Sequence, residues 1–184
     1  KDTPIVDPGI VIPDVSNGVK IFVDTKGSDT TGNGSQSNPY ATITKALDEA
    51  KNSSGCEIIV NEGNYVLDDY RIQSNVTIVG NGNVVISPEN QRQLFIMADN
   101  TKLIGLTFSG ATNGALSTSS RSGGDGNNNR YLLLENCTFK NNKGDTAAVT
   151  SYINTVIKGC TFIDNTATGS FQAWSGIVSL RDSR

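Results

Sequence analysis

The chain contains no histidine. That absence removes Ser-His-Asp and Cys-His triads, histidine general bases and nearly every transition-metal site. Cysteine is scarce as well: Cys56, Cys137 and Cys160 make no even disulfide framework, which excludes a cysteine-stapled mini-domain. No apolar run approaches the ~18 residues needed to cross a bilayer, so no membrane span is expected. Charge is thin at 18% of residues, and 15 basic against 18 acidic side chains leave a net −3. Such a balance sets up no field for phosphate backbones, and nucleic acid is not expected as a partner.

In place of charge the chain carries Asn, Ser, Thr and Gly, about four residues in ten. These residues favour turns over helix interiors and point to a turn-rich β protein on an outside surface. The sequence starts at Lys1 with no charged-then-apolar leader, as expected if a signal peptide has been removed or a longer protein cut. Asn33, Asn52, Asn75 and Asn136 each open an Asn-x-Ser/Thr triplet, the acceptor pattern for N-glycosylation.

Residues 1–18 hold three of the five prolines and read as an extended lead-in, a linker or an edge strand. The rest, 19–184, is expected to form one body. A strand over 19–24 leads to a Gly-rich turn region, 25–38. One helix follows, at about 43–51: Thr42 suits an N-cap, Ile43, Ala46, Leu47 and Ala50 form one apolar stripe, and Gly55 ends it. Asp68, Asp69, Tyr70 and Arg71 read as a solvated turn.

Beyond Cys56 the sequence repeats itself. NTKLIGLTF from Asn100, LLLENCTF from Leu132 and NTVIKGCTF from Asn154 superimpose without gaps, ending at Phe108, Phe139 and Phe162. Two positions earlier stand Leu106, Cys137 and Cys160; five earlier stand Leu103, Leu134 and Ile157. A degenerate copy, NVTIVGNG, starts at Asn75, and a weaker column of small residues followed by an aliphatic recurs at 114–116, 147–149 and 176–178. Phe139 and Phe162 are 23 residues apart, Asn75 and Asn100 25, and Phe108 and Phe139 31, the last lengthened by a Gly-rich insert at 123–129. A strand-like period in the low twenties with insertions signals a stacked β-solenoid, in which like residues lie over like at ~4.8 Å.

Residues 21–50, together with GCEIIVNEGNY from Gly55, resemble the N-terminal module of right-handed parallel β-helix proteins. That module runs strand, Gly-rich turn, Asn-Pro-Tyr-Ala-Thr-Ile (here Asn38 to Ile43), capping helix, and a first coil ending in Gly-x-Tyr (here Gly63 and Tyr65). Pectate-lyase-like polysaccharide lyases share it. Phe-x-x-Asn occurs twice, Phe139 with Asn142 and Phe162 with Asn165. This is similar to the repeat of polymorphic outer-membrane proteins and of adhesin-like surface proteins from methanogenic archaea, and the Asn- and Thr-rich composition suits the latter. Phe108 is followed by Ser-Gly-Ala and lacks the Asn. The resemblance implies an all-β, right-handed parallel β-helix of four to five coils with an N-terminal capping α-helix.

Asn at a solenoid corner tolerates left-handed backbone and can bond its own backbone or the Asn below, so Asn142 and Asn165 are expected to be structural. Cys137 and Cys160 occupy equivalent positions on neighbouring coils. Parallel side chains rarely offer the disulfide dihedral, and a reduced, buried ladder is expected.

β-Helix lyases abstract a proton beside a uronate with Lys or Arg, and carboxylates hold Ca²⁺. Lys140, Lys143, Asp145 and Asp164 are the candidates for that chemistry, and Asp24 and Asp29 for Ca²⁺. Their sparse acids favour a chain with no catalytic residues and no cofactor. Phe171 and Trp174 are candidates for stacking on sugar rings. The function expected is non-enzymatic: an extracellular, cell-surface adhesin-like module attaching to host-cell or cell-wall glycans or to a surface protein. From Leu180 onward nothing reads as a cap, so self-association or continuation of the solenoid is expected there. The alternatives are a Ca²⁺-dependent lyase acting on acidic glycans and a structural fibre or viral tail segment.

Overall fold

Cys56–Val66 alternates like a half-buried strand: Cys56, Ile58 and Val60 point inward and are fully buried, while their neighbours face out. A similar alternation recurs in Thr101–Ser109 and Tyr131–Glu135, and each such strand can bury its inner face only against the coils above and below. The computed structural model describes residues 18–67, 69–90, 94–97, 99–118, 131–169 and 176–180, with backbone alone at positions 96 and 97. Its main sheet runs, in spatial order, Lys20–Val23, Cys56–Val66, Val76–Ser87, Thr101–Ser109, Tyr131–Glu135 and Asn154–Lys158, with Thr138–Lys140 and Thr161–Ile163 extending the last two coils. A second sheet stacks Tyr70–Arg71, Phe95–Met97, Leu116–Thr118, Thr146–Ser151 and Gly176–Leu180. A two-stranded sheet pairs Lys143–Gly144 with Thr166–Ala167. Every pairing between these strands is parallel. The described residues therefore form an all-β parallel solenoid of five coils topped by one helix.

The core is a set of side-chain columns. Ile58, Ile78, Leu103, Leu134 and Ile157 lie in register. So do Tyr65, Ile86, Phe108, Phe139 and Phe162. The aromatic column thus begins two coils before the repeated Phe. Phe139 is stacked between Phe108 and Phe162 with ring centroids 5.1 Å from each. In the second sheet Phe95, Leu116, Val149 and Val178 continue the core. On the fifth coil Phe162, Ile163 and Leu180 reach 36%, 45% and 43% exposure.

Gly105, Asn136 and Gly159 hold φ of 66°, 52° and 61° at one position of three successive coils. This left-handed kink, which only Gly or Asn adopts at low cost, turns the chain before Leu106, Cys137 and Cys160. The second kink of each coil corrects an expectation: the left-handed residues are Asn141 (φ 56°) and Asp164 (φ 49°), one position before Asn142 and Asn165. Those two asparagines have ordinary backbone and use their side chains to bridge coils. Asn142 Nδ2 donates to the Phe108 carbonyl at 3.1 Å, and its Oδ1 accepts from Ala111 N at 3.0 Å. Asn165 repeats the pattern one coil on, donating to the Phe139 carbonyl at 2.8 Å and accepting from Asn142 N at 3.0 Å. The third coil has only Ala111 at this rung, and that residue's amide is satisfied from the fourth.

All three cysteines are free thiols. Cys137 Sγ lies 3.3 Å from the Leu103 carbonyl, and Cys160 Sγ 3.5 Å from the Leu134 carbonyl, so each thiol donates to the preceding coil. Burial pushes the Cys137 thiol up to about 12 from its ordinary 9.0. Its neutral form supports the fold at lower pH, and that support is lost as pH rises from 9.0 towards 12. At about pH 8.5 an alkylating reagent should leave Cys137 unlabelled in the folded chain and label it in denaturant. Equal labelling in both states, read by peptide mass mapping, would contradict this packing.

The helix, Ile43–Ala50, lies over the first coils with Ile43, Ala46, Leu47 and Ala50 buried. Thr42 Oγ1 caps it by accepting from Lys45 N at 3.1 Å. Tyr70 and Arg71, expected in a solvated turn, instead form a strand paired with 95–96. Tyr70 Oη donates to Asp48 Oδ1 at 2.7 Å, which ties the helix to the second sheet. Local polarity hid this contact, because its partner lies 22 residues away.

Candidate functional site

The residues that meet at the helix-capped end begin with Asp24, just after the first strand. Its Oδ1 accepts from Lys26 N at 2.8 Å, a local turn that aims the carboxylate along the coil axis. Its Oδ2 accepts from Asn61 Nδ2 at 2.9 Å, and Asn61 Oδ1 accepts from Asn81 Nδ2 at 3.0 Å. A three-rung polar ladder thus runs down the outside of the stack. The Lys26 amide, and next the Asn61 side chain, hold the Asp24 carboxyl below its ordinary range, so it stays ionised. Inside the ladder Tyr65 Oη donates to the Asn61 carbonyl at 2.8 Å, and burial, reinforced by Asp24, pushes this phenol up to about 12.

The second coil breaks pattern here. Residues 80–83, Gly-Asn-Gly-Asn, interrupt the strand pairing: Val79 pairs with Ile104, and pairing with the third coil resumes only at Val84 with Leu106. This bulge pushes Asn81 and Asn83 out from the flank. Gly82 has φ 94°, and a Cβ there would lie 3.0 Å from Glu62 Cβ, so the glycine leaves room for Glu62 to lean across. A Cβ on Gly63 (φ 151°) would lie 2.6 Å from Thr25 Cγ2, which brings the first coil and the Asp24 loop into direct contact. Between these parts lies an open cleft of about 420 Å³ lined by Asp24, Lys26, Glu62, Asn64 and Asn83. A second hollow of about 290 Å³ adjoins it through Thr25 and Asn64, floored by Tyr65 and Val66.

The other candidates lie elsewhere. Asp29 is engaged in the fold: Oδ1 accepts from the Ala41 and Thr42 amides at 2.8 and 3.1 Å, and Oδ2 from Thr42 Oγ1 at 2.7 Å. It therefore orders the approach to the helix and does not line the cleft beside Asp24. Lys140 and Asp164 are brought to one corner, since Lys140 pairs with Ile163, and Lys143 pairs with Thr166 on the same two coils. Lys143, Asp145 and Asp164 are exposed there, and Lys140 is half-buried. Among the described residues no three Cys, Asp or Glu side chains converge to hold a metal ion. Phe171, Trp174, Asp68 and the insert at 123–129 lie outside the described residues. Sequence reasoning missed Glu62, Asn64 and Asn83. The signal for them was the Gly-Asn-Gly-Asn run inside a strand pattern, which marks a bulge.

Comparison with protein families finds no match, and comparison with curated proteins finds none. Among solved structures the chain is similar to a rhamnogalacturonan lyase, with 14% identity and a TM-score of 0.41. The likeness covers 89% of this chain and 62% of that one.

Proposed function

We propose that this chain is a non-enzymatic, adhesin-like module of an extracellular cell surface that attaches to glycans. The observation that carries the reading is the polar cleft beside the ladder of Asp24, Asn61 and Asn81. The pairing of Asn61 with Asn81 and the bond from Asn61 to Asp24 fix the ladder that forms one side of the cleft, so this part needs little ordering on binding. Asn amides offer a donor and an acceptor each, and carboxylates accept only, a mixture that suits ligands rich in hydroxyl groups. No bond need be broken for this role, and neither Ca²⁺ nor another cofactor is required by it.

The test is incubation with immobilised neutral and acidic polysaccharides, with and without Ca²⁺, scoring retained protein and soluble product together. Retention without product is expected. Soluble product that disappears with a chelator would overturn the adhesin reading and direct attention to Lys140, Lys143, Asp145 and Asp164.

A further inference from the structure

Resting on that reading, we propose that the cleft between the Asp24 loop and the 80–83 bulge is a subsite for a neutral hexose unit and discriminates against uronates. The argument starts from its charges. Asp24 and Glu62 contribute two carboxylates and Lys26 one ammonium to the lining of a single cleft, and exposed charges act on one another over a Debye length of ~8 Å at physiological salt. A uronate carboxylate entering this space meets net negative charge, whereas a hydroxymethyl group at the same carbon does not.

The hydrogen-bonding inventory points the same way. Each Asp24 oxygen is used once within the fold, by Lys26 N and by Asn61 Nδ2. A carboxylate oxygen has two lone-pair sites, so each can still accept from a sugar hydroxyl. Glu62 is exposed, lies against Gly82 and shares the cleft lining with Asn83. Asn64 and Asn83 are exposed, and each supplies one donor group and one acceptor, the complement of adjacent hydroxyls that both give and take a proton. The adjoining hollow above Tyr65 and Val66 provides an apolar wall, with Val66 55% exposed, for the carbon face of a neighbouring sugar unit.

The experiment uses tetragalactose and tetragalacturonate, which differ in whether C6 carries a hydroxyl or a carboxylate. Binding to the full chain is measured by titration calorimetry. Tetragalactose should bind about tenfold more tightly, the scale of one unfavourable charge contact at a protein surface. Asn83→Ala should weaken tetragalactose binding about tenfold. Glu62→Gln keeps the shape and removes a negative charge; it should cut the preference to a few-fold or less by improving tetragalacturonate binding. Both positions are exposed, and circular dichroism would verify the fold. Tighter binding of tetragalacturonate by the native chain, or an unchanged preference in Glu62→Gln, would overturn this inference and leave the adhesin reading standing. Failure of the chain to be retained by any glycan would overturn both.

Discussion

Replacing Phe139 by Ala should cost about 3–5 kcal/mol of stability, the range for emptying a buried aromatic site. Phe139 is fully buried, and both faces of its ring are covered by other rings 5.1 Å away. Stacked aromatic pairs add about 0.5–1.5 kcal/mol beyond area burial, so the loss should fall at the upper part of that range. The cavity would open between two coils, where parallel strands cannot close up without breaking register. Phe162→Ala is the matched control. It ends the same column at 36% exposure and should cost less than about 2 kcal/mol. Denaturant titration followed by circular dichroism measures both. Equal losses at the two positions would show that the column does not act as a stack.

Asn142→Ala should be nearly as damaging, at about 2–4 kcal/mol, for a different reason. Asn142 is fully buried, and its side chain serves the Phe108 carbonyl, the Ala111 amide and Asn165 Oδ1. Removing it leaves buried backbone groups of the third coil without partners, and each such orphan costs about 1–3 kcal/mol. Asn165→Ala removes the equivalent bonds from a half-buried position, where water can replace them, and a smaller loss is expected. Asn142→Asp should not rescue the site, because a carboxylate cannot donate to the Phe108 carbonyl. A loss below about 1 kcal/mol for Asn142→Ala would remove the ladder from the account of stability.

These two sites show how much the repeat pattern disclosed. Phe108, Phe139 and Phe162 were legible as a column because identical residues recur at equal distances from identical neighbours, and stacking demands that recurrence. The heading of that column by Tyr65 and Ile86 was not legible. The register passes through a bulge at 80–83, with one residue more than the first coil and three more than the third, and that excess shifts every later partner. Asn142 and Asn165 were readable as structural, yet the left-handed kink falls on Asn141 and Asp164. Backbone conformation at a corner depends on where the flanking strands pair, and composition alone does not say.

The amino-acid sequence by itself determined the class of fold, the helix over 43–50 and its cap at Thr42, and the inward columns of the three repeats that end in Phe. Each of these follows from local periodicity, because a strand or helix must present its apolar side chains to one face. Tertiary structure alone decided which polar residues share a surface. Asp24, Glu62 and Asn83 stand at the ends of unrelated local patterns and meet only because successive coils stack, with the bulge between them. Asp29, a neighbour of Asp24 in sequence, is drawn away to the helix start by three hydrogen bonds. Proximity across coils is set by register, and register is a property of the whole stack.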